Sequence, residues 1–242
     1  MPVFFIPSTQ VVDNTILIQG DLYQHLVKSL RTRPGESLTF NDERGIRYVT
    51  TVKKITRDEL LAGVEGTETN PLPRPYSMVL GQAILKGDKM SWVIQKATEL
   101  GVGTIIPLLT ERVILKSHTT NLEKRWSRIA LEAAQQSERW APPSIEAMAS
   151  FSQFLEIFAA TPTKLILAER TIGHSLLQYP LPANPDAPII VAIGPEGGWT
   201  SEELTLAGKA NFSYASLGAR VLRSETASLA TLAILSSRMQ ML

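Results

Sequence analysis

Hydrophobic and polar positions follow one pattern before residue 70 and another after it. In the first part, short runs rich in β-branched and aromatic residues are separated by turn-forming residues, a pattern that predicts short strands. The predicted strands are residues 3–6, 15–18, 36–40, 47–55 and 60–64. Between the second and third, Asp21 is predicted to cap a helix that Pro34 and Gly35 stop. Several short strands around one helix favour a small β-barrel.

The pattern changes after residues 71–75, which contain three prolines and so favour an extended connector. Beyond them, strand-like runs alternate with helical ones, which argues for a mostly parallel sheet covered by helices. The predicted strands are residues 77–85, 104–109, 164–168, 189–193 and 214–217, and the predicted helices are 88–100, 121–139, one opening with the Thr200 to Glu203 capping box, and one from Ser224. The predicted division is a first domain 1–70, the connector 71–75 and a second domain 76–242.

The composition of the chain is that of a folded protein without disulfides or membrane spans. Of 242 residues, 44% are hydrophobic and 19% charged, values typical of a folded chain. There is no cysteine, and the three histidines stand far apart in sequence, so no disulfide and no metal site are predicted. No apolar run approaches the ~20 residues of a membrane span, and the first residues do not resemble a signal peptide, so a cytoplasmic protein without membrane contact is predicted.

Two glycine-marked loops follow strand-like runs near the end of the chain, Gly194–Gly198 and Gly218–Arg223. Glycine allows a ligand close to the main chain, and a helix that starts just beyond offers free N–H groups. Ligands of open α/β sheets bind at the carboxyl ends of strands, so loops at two neighbouring strand ends predict a site for a nucleotide-like cofactor. By itself, the first loop could be only a tight turn, and neither loop has a dinucleotide or Walker A pattern.

The formal net charge is only +1, which argues against indiscriminate binding to nucleic acid. Lys and Arg outnumber Asp and Glu only between residues 71 and 140. Lys86 and Lys89 lie in a loop at a strand end, and Arg125 and Arg128 lie on a helix outside its apolar stripe. These four cations are candidates for phosphate contacts, although a solvated loop and a solvated helix face would look the same.

Four ordered motifs resemble the signatures of one enzyme family. They are WVIQKATELGV at 92–102, EAAQQSER at 132–139, IGPEGG at 193–198 and LGARVLRSETA at 217–227, and His25–Arg31 matches the family's N-terminal motif. The chain is thereby identified as a member of the RsmE family, methyltransferases that modify N3 of uridine 1498 in 16S ribosomal RNA.

The resemblance implies an α/β fold of the SPOUT class, with a mostly parallel sheet, preceded by a PUA-like RNA-binding β-barrel. In that class a trefoil knot of the backbone forms the site for S-adenosyl-L-methionine, and the enzyme is a homodimer. The implied partner is the 16S RNA of the small ribosomal subunit. Transfer from the cofactor's sulfonium requires a deprotonated N3 and good positioning.

The family's functional positions are carried over to matching residues. The implied cofactor-binding residues are Ala168, Glu169, Gly194, Pro195, Glu196, Gly197, Gly198, Leu217, Gly218, Val221 and Leu222. Arg220 and Arg223 are expected to stabilise the uridine anion or a phosphate. Glu225 is a candidate general base, as are Glu196 and Glu169, and solvent is a further proton acceptor. Lys28 and Arg31 are expected to bind RNA, together with Lys86, Lys89, Arg125 and Arg128.

Two alternatives from other classes compete with this interpretation. One is a non-catalytic RNA-binding protein whose methyltransferase domain is degenerate, against which the intact glycines of both loops count. The other is an α/β enzyme that acts on a small nucleotide, for which the first domain would be structural.

Overall fold

The computed structural model describes residues 2–70, 77–113, 119–168, 174–182, 184 and 187–239. The chain divides into two compact units, residues 1–73 with 134–141, and residues 74–133 with 142–242. The predicted connector at 71–75 and the predicted cofactor residue Glu169 lie outside the described residues. Within the ranges described, no helix is long and apolar enough to cross a membrane.

The first unit contains a six-stranded mixed sheet. Its strands are β1 (Val3–Phe5), β2 (Val11–Val12), β3 (Thr15–Ile18), β4 (Ser37–Asn41), β5 (Ile46–Ile55) and β6 (Leu60–Thr69). The strand order is β1-β4-β5-β6-β3-β2, and every pair is antiparallel except β1 with β4. The five predicted strands are therefore confirmed, whereas the two-residue β2 was not predicted.

The helix between β3 and β4 begins differently from the prediction. Helix α1 (Gly20–Tyr23) continues as a π-helical segment over Gln24–Ser29, and its N-cap is Gln19, which makes no side-chain cap hydrogen bond. The prediction that Asp21 caps the helix is wrong, because the helix begins at Gly20 and Asp21 lies in its first turn. The helical path ends before Arg31, whose φ of 58° lies in the left-handed region.

The predicted hairpin between β4 and β5 is held by a buried carboxylate. Asp42 accepts hydrogen bonds from the backbone N–H groups of Arg44 and Ile46, both at 3.0 Å, from Arg44 Nε at 2.8 Å and from the Tyr48 hydroxyl at 2.9 Å. Gly45 completes the turn with a φ of 77°, a conformation that favours glycine. Asp42, Arg44 and Tyr48 are called the Asp42 network below.

The second unit is built on an eight-stranded sheet. Its strands are β7 (Met78–Ala83), β8 (Thr104–Leu109), β9 (Ser144–Ile145), β10 (Ala149–Ser150), β11 (Lys164–Leu167), β12 (His174–Ser175), β13 (Ile189–Ile193) and β14 (Ser213–Ser216). The order is β10-β8-β7-β13-β11-β14-β12, with β9 also paired to β8. All these pairs are parallel, which confirms the predicted mostly parallel sheet.

Helices cover both faces of this sheet. They are α2 (Lys89–Glu99), α3 (Thr119–Gln136), α4 (Phe151–Ile157), α5 (Ser201–Lys209) and α6 (Ser224–Arg238). Side chains of α2, α3 and α6, such as Met90, Trp126 and Leu232, share one buried cluster with Leu80. Side chains of α4 and α5 share the other cluster with β7 and β8 residues that point to the opposite face.

Local sequence signals account for most helix boundaries. Gly101, with a φ of 90°, follows α2 as predicted, and the capping box between Thr200 and Glu203 opens α5. Helix α3 was predicted to reach residue 139 but ends at Gln136, because Glu138 takes a left-handed φ of 55°. Helix α4 was not predicted, although a capping box between Ser150 and Gln153 opens it as well.

Candidate active site

A cavity of about 650 Å³ lies at the carboxyl ends of β11, β13 and β14. Its wall includes the ends of these three strands and the two glycine loops that follow β13 and β14. The expectation that the two loops follow neighbouring strands is wrong, because β11 lies between β13 and β14 in the sheet. The inserted strand adds Leu167 and Ala168 to the wall, so three strand ends build the site.

Most of the predicted site residues meet at this cavity. Those that line it are Ala168, Gly194, Pro195, Glu196, Gly197, Gly198, Leu217, Gly218, Arg220, Val221, Leu222 and Arg223. Lys89, predicted as an RNA contact, also lines it. Glu225 is not among the lining residues, and its carboxylate lies beside the amine of Lys89.

The first loop is fixed by contacts that the sequence pattern does not show. Gly198 has a φ of 70° and its N–H donates to Pro195 O at 2.9 Å. Arg112, which follows β8, donates from a terminal nitrogen to Gly197 O at 2.5 Å. A Cβ on Gly197 would lie 3.2 Å from Arg112 Cδ, so the glycine leaves room for this arginine. Arg112 lines the cavity and was not predicted, because its contact spans 85 residues of sequence.

Trp199 holds the start of the same loop against β11. Its Nε1 donates to Leu167 O at 2.9 Å, and its ring packs on Phe151 with centroids 4.6 Å apart. A Cβ on Gly194 would come within 3.0 to 3.1 Å of this indole. A larger residue at position 194 would therefore push the indole aside, in addition to blocking any approach by a ligand.

The second loop turns at Gly218, whose φ of 114° strongly favours glycine. The N–H of Gly218 donates to Ser216 Oγ at 3.1 Å, which closes the turn. Arg220 and Arg223, which follow in this loop, are both exposed and line the cavity, so they bring positive charge to it. Arg223 is also the N-cap residue of α6.

Lys89 lies between two carboxylates at the edge of the cavity. Its Nζ is 3.1 Å from Glu225 Oε1 and 3.6 Å from Glu196 Oε1. Burial raises the pKa of Glu225, but hydrogen bonds from its own backbone N–H and from Lys89, with Arg223 nearby, outweigh burial and hold this pKa below its ordinary value. Glu225 is therefore ionised at neutral pH and serves as the counter-ion of Lys89. Its other oxygen, Oε2, is buried and has no hydrogen-bond partner among the residues that the structure describes.

The remaining predicted RNA-binding residues are not among those that line this cavity. Lys28 and Arg31 belong to the first unit. Arg125 pairs with Asp88 at 2.9 Å, and Arg128 pairs with Glu132 at 2.9 Å within α3. The backbone N–H of Lys86 donates to Glu196 Oε1 at 3.2 Å. Among the residues described, no group of three His, Asp or Glu side chains could hold a metal ion.

Comparisons with known proteins agree with this architecture. Residues 72–236 match the family described as RNA methyltransferase domain, and residues 18–65 match the family described as RNA methyltransferase PUA domain. A ribosomal RNA small subunit methyltransferase E from Synechocystis is 35% identical over 235 residues, which cover 96% of this chain and 76% of that protein.

Two similar solved structures contain a bound ligand. The crystal structure of a ribosomal RNA small subunit methyltransferase E from Neisseria gonorrhoeae, bound to S-adenosyl methionine, superposes with a TM-score of 0.87 at 30% identity over 98% of both chains. A methyltransferase from Legionella pneumophila in complex with the same cofactor gives a TM-score of 0.87 at 29% identity, over 98% of this chain and 97% of that one. The family match over residues 72–236 and the 35% identity over nearly the whole chain thus show that this protein belongs to the RsmE family of ribosomal RNA methyltransferases, with a PUA domain before a SPOUT-class methyltransferase domain.

Proposed function

We propose that this protein transfers the methyl group of S-adenosyl-L-methionine to N3 of a uridine in 16S ribosomal RNA, uridine 1498 in the usual RNA numbering. The observation that carries the proposal is the cavity that two glycine loops form at three strand ends. Its volume of about 650 Å³ is in the range of small-molecule sites. The bound cofactor in the similar structures from Neisseria gonorrhoeae and Legionella pneumophila supports the same ligand here.

The residues of the cavity fit this cofactor. Gly218 exposes main chain where a side chain would be strained, and the apolar side chains of Leu167, Leu217 and Leu222 offer surface to an adenine ring. When bound, S-adenosyl-L-methionine supplies an electrophilic methyl group on its sulfonium. We assign cofactor binding to the residues carried over from the family, Ala168, Glu169, Gly194, Pro195, Glu196, Gly197, Gly198, Leu217, Gly218, Val221 and Leu222.

The side chains at the cavity would act on the uridine. N3–H of uridine is a weak acid, and a nearby cation favours the anion that attacks the methyl group. We assign this role to Arg223 and Arg220, the exposed cations of the second loop. The lowered pKa of Glu225 makes it a weak base, so we propose that it contributes to catalysis by holding Lys89 at the cavity.

RNA binding is proposed to be divided between the two domains, for which we keep the boundaries 1–70, 71–75 and 76–242. Lys28 and Arg31 would bind RNA from the PUA domain. Arg125, Arg128, Lys86 and Lys89 would contact phosphates from the second domain. Arg125 and Arg128 would exchange their pairing with Asp88 and Glu132 for phosphate oxygens, at small cost because solvent-exposed ion pairs are weak.

We further propose that the protein is a homodimer that acts in the cytoplasm, where its ribosomal substrate is found, and that it needs no metal. Helix α6 supports the dimer, because its apolar residues are not confined to the face that carries the buried Leu232 and Leu235. A second copy could cover those on its other sides. Sedimentation should then give a species of about twice 26.6 kDa.

The experiment that tests the function has two steps. Calorimetry with S-adenosyl-L-methionine measures cofactor binding, and labelled methyl transfer is then assayed on small ribosomal subunits from a strain that lacks this methylation. Binding followed by transfer to 16S RNA supports the proposal. RNA binding without cofactor binding would indicate a degenerate RNA-binding protein, and transfer to a free nucleotide but not to RNA would indicate a small-molecule enzyme.

A further inference from the structure

A buried chain of hydrogen bonds lies behind the first glycine loop. It joins Gln82 of β7 to Ser224 and Ser228 of α6, and these three residues are called the Gln82 network. Gln82 and Ser228 have 0% exposure and Ser224 has 7%. Gln82 stands opposite Ile193, the residue before Gly194, in the parallel pair of β7 and β13. The network therefore links the central strand β7 to Gly194, where the first glycine loop begins, and to Ser224, directly after the second loop.

The acceptors around Gln82 fix the direction of each hydrogen bond. Gln82 Nε2 lies 2.9 Å from Ala83 O, an atom that can only accept, so this side of the amide must be the NH₂ group. The same nitrogen donates to Ser224 Oγ at 3.3 Å, while Gln82 Oε1 accepts from Ser228 Oγ at 2.5 Å. Because Ser224 Oγ accepts a hydrogen bond from the amide, its own hydroxyl proton is directed to Gly194 O at 2.5 Å.

The Gly194 carbonyl is the group through which the loop entrance can be fixed. Pro195 has no N–H, so the peptide between these two residues offers only this oxygen for a hydrogen bond. The indole of Trp199 packs on the other side of Gly194, close to where a Cβ would lie. The carbonyl bond to Ser224 therefore sets the rotation of the first peptide in the loop, and with it the path of Glu196 and Gly197.

We propose that Gln82 is a positioning residue for cofactor binding, which orders the proton of Ser224 so that the Gly194 to Gly198 loop is held in its binding shape. The inference rests on the proposed function, because it takes this loop as part of the site for S-adenosyl-L-methionine. Gln82 itself does not line the cavity, so it acts only through Ser224.

The test compares stability with cofactor affinity in a double-mutant cycle. Gln82→Met removes the amide that donates to Ser224 Oγ, so it should lower the unfolding midpoint and raise the Kd for S-adenosyl-L-methionine about tenfold. Ser228→Ala leaves the buried Gln82 Oε1 without its donor, so it should lower the unfolding midpoint as well. Its Kd should stay near the wild-type value, because Ala83 O still holds Gln82 Nε2 in place to donate to Ser224. The double variant removes both polar partners, so it should regain most of the lost stability. Its Kd should stay raised about tenfold, since nothing then orders the Ser224 proton.

Thr231→Val is the matched control on the same helix. Thr231 is fully buried, and within the described part of the chain its hydroxyl has no hydrogen-bond partner, so this variant should keep the wild-type Kd. A Kd that returns to the wild-type value together with stability in the double variant, or that never changes, would overturn the positioning role. If Gln82→Met does not fold, the Kd of the double variant decides, and an unchanged value rejects the inference. Absence of cofactor binding by the wild-type protein would instead reject the proposed function and the inference with it.

Discussion

The Asp42 network of the first unit and the Gln82 network of the second both centre on a buried polar side chain, and they differ in charge. In the first unit, the Asp42 network fixes the hairpin between β4 and β5 with a carboxylate whose side chain is 0% exposed. In the second, the Gln82 network fixes the entrance to the first glycine loop with an amide and two hydroxyls. The hairpin is held by an ionisable group, whereas the entrance of the loop at Gly194 is held by neutral groups.

Because only the Asp42 network contains a carboxylate, the two networks should respond differently to acid. Burial raises the pKa of Asp42, but hydrogen bonds from the Ile46 N–H, from Arg44 and from Tyr48 outweigh burial and leave this pKa below its ordinary value. A network of amide and hydroxyl groups does not titrate near neutral pH. We therefore expect the hairpin to weaken in acid while the backbone geometry around Gly194 is maintained.

The largest expected effect comes from the second glycine loop. Gly218→Val should abolish measurable binding of S-adenosyl-L-methionine, because a β-branched residue does not tolerate a φ of 114°. Gly66→Val is the matched control, since Gly66 is exposed in the first unit, has no positive φ and has open space where a Cβ would lie. Calorimetry on both variants measures the effect. Unchanged affinity in Gly218→Val would remove this loop from the cofactor site.

Gly197→Val tests the first loop in the same way. The new side chain would displace Arg112, whose Cδ lies 3.2 Å from the position of the Cβ, and would disturb the hydrogen bond from Arg112 to Gly197 O. We expect loss of cofactor binding with cooperative unfolding retained, measured by calorimetry and thermal denaturation. Binding at the wild-type affinity would show that this loop does not form part of the site.

Arg31 of the first unit and Arg223 of the second should differ in whether they serve RNA capture or chemistry. Arg223→Ala should lower turnover about a hundredfold, because it removes a cation from beside the reacting base. Arg31→Ala should instead weaken substrate capture and leave both cofactor affinity and the chemical rate unchanged. Single-turnover assays over a range of subunit concentrations separate the two effects. If Arg31→Ala lost only the chemical rate and Arg223→Ala only RNA affinity, the assigned roles would have to be exchanged.

The Asp42 network predicts a smaller change, in stability alone. Asp42→Asn turns an NH₂ group toward donors that now share a carboxylate, and it should lower the free energy of unfolding of the first unit by about 2 kcal/mol. Hydrogen exchange of the Arg44 and Ile46 amides measures this loss. Cofactor affinity should not change, and a large change in Kd would contradict the separation of the two networks.

A fall in pH should produce the smallest of these effects, a gradual loss of stability. Because the pKa of Asp42 is lower in the folded than in the unfolded state, its contribution is fully present above the unfolded pKa near 4 and is lost as pH falls through the folded pKa. Unfolding of the wild-type protein should therefore depend more steeply on pH below about 4 than unfolding of Asp42→Asn. Equal pH dependence of the two proteins would show that Asp42 contributes nothing.

Local patterns predicted the elements and most of the cavity. The strand runs before Gly194 and Gly218, and the capping box at Thr200, are fixed by neighbours in sequence, so they could be read from it. The position of β11 between β13 and β14 could not, because strand order depends on long-range packing. Arg112 and the pairing of Lys89 with Glu225 were missed for the same reason, since each contact joins segments more than 80 residues apart.

The trefoil knot remains a prediction from the family resemblance, because neither periodicity nor composition records how a chain is threaded. The roles of Arg220, Arg223 and Glu225 also remain predictions. The structure brings the two arginines to the cavity but locates Glu225 beside Lys89. A side chain's identity alone could not distinguish a base from a counter-ion, since that depends on its hydrogen bonds and burial.

The most direct test of the central claim is identification of the methylated atom. Small subunits that lack this methylation are incubated with the protein and labelled S-adenosyl-L-methionine, and the RNA is digested to nucleosides for mass spectrometry. The proposed chemistry predicts one labelled nucleoside, 3-methyluridine, from the fragment that contains uridine 1498, and none with Gly218→Val. Label on a ribose hydroxyl, or on another base, would contradict it.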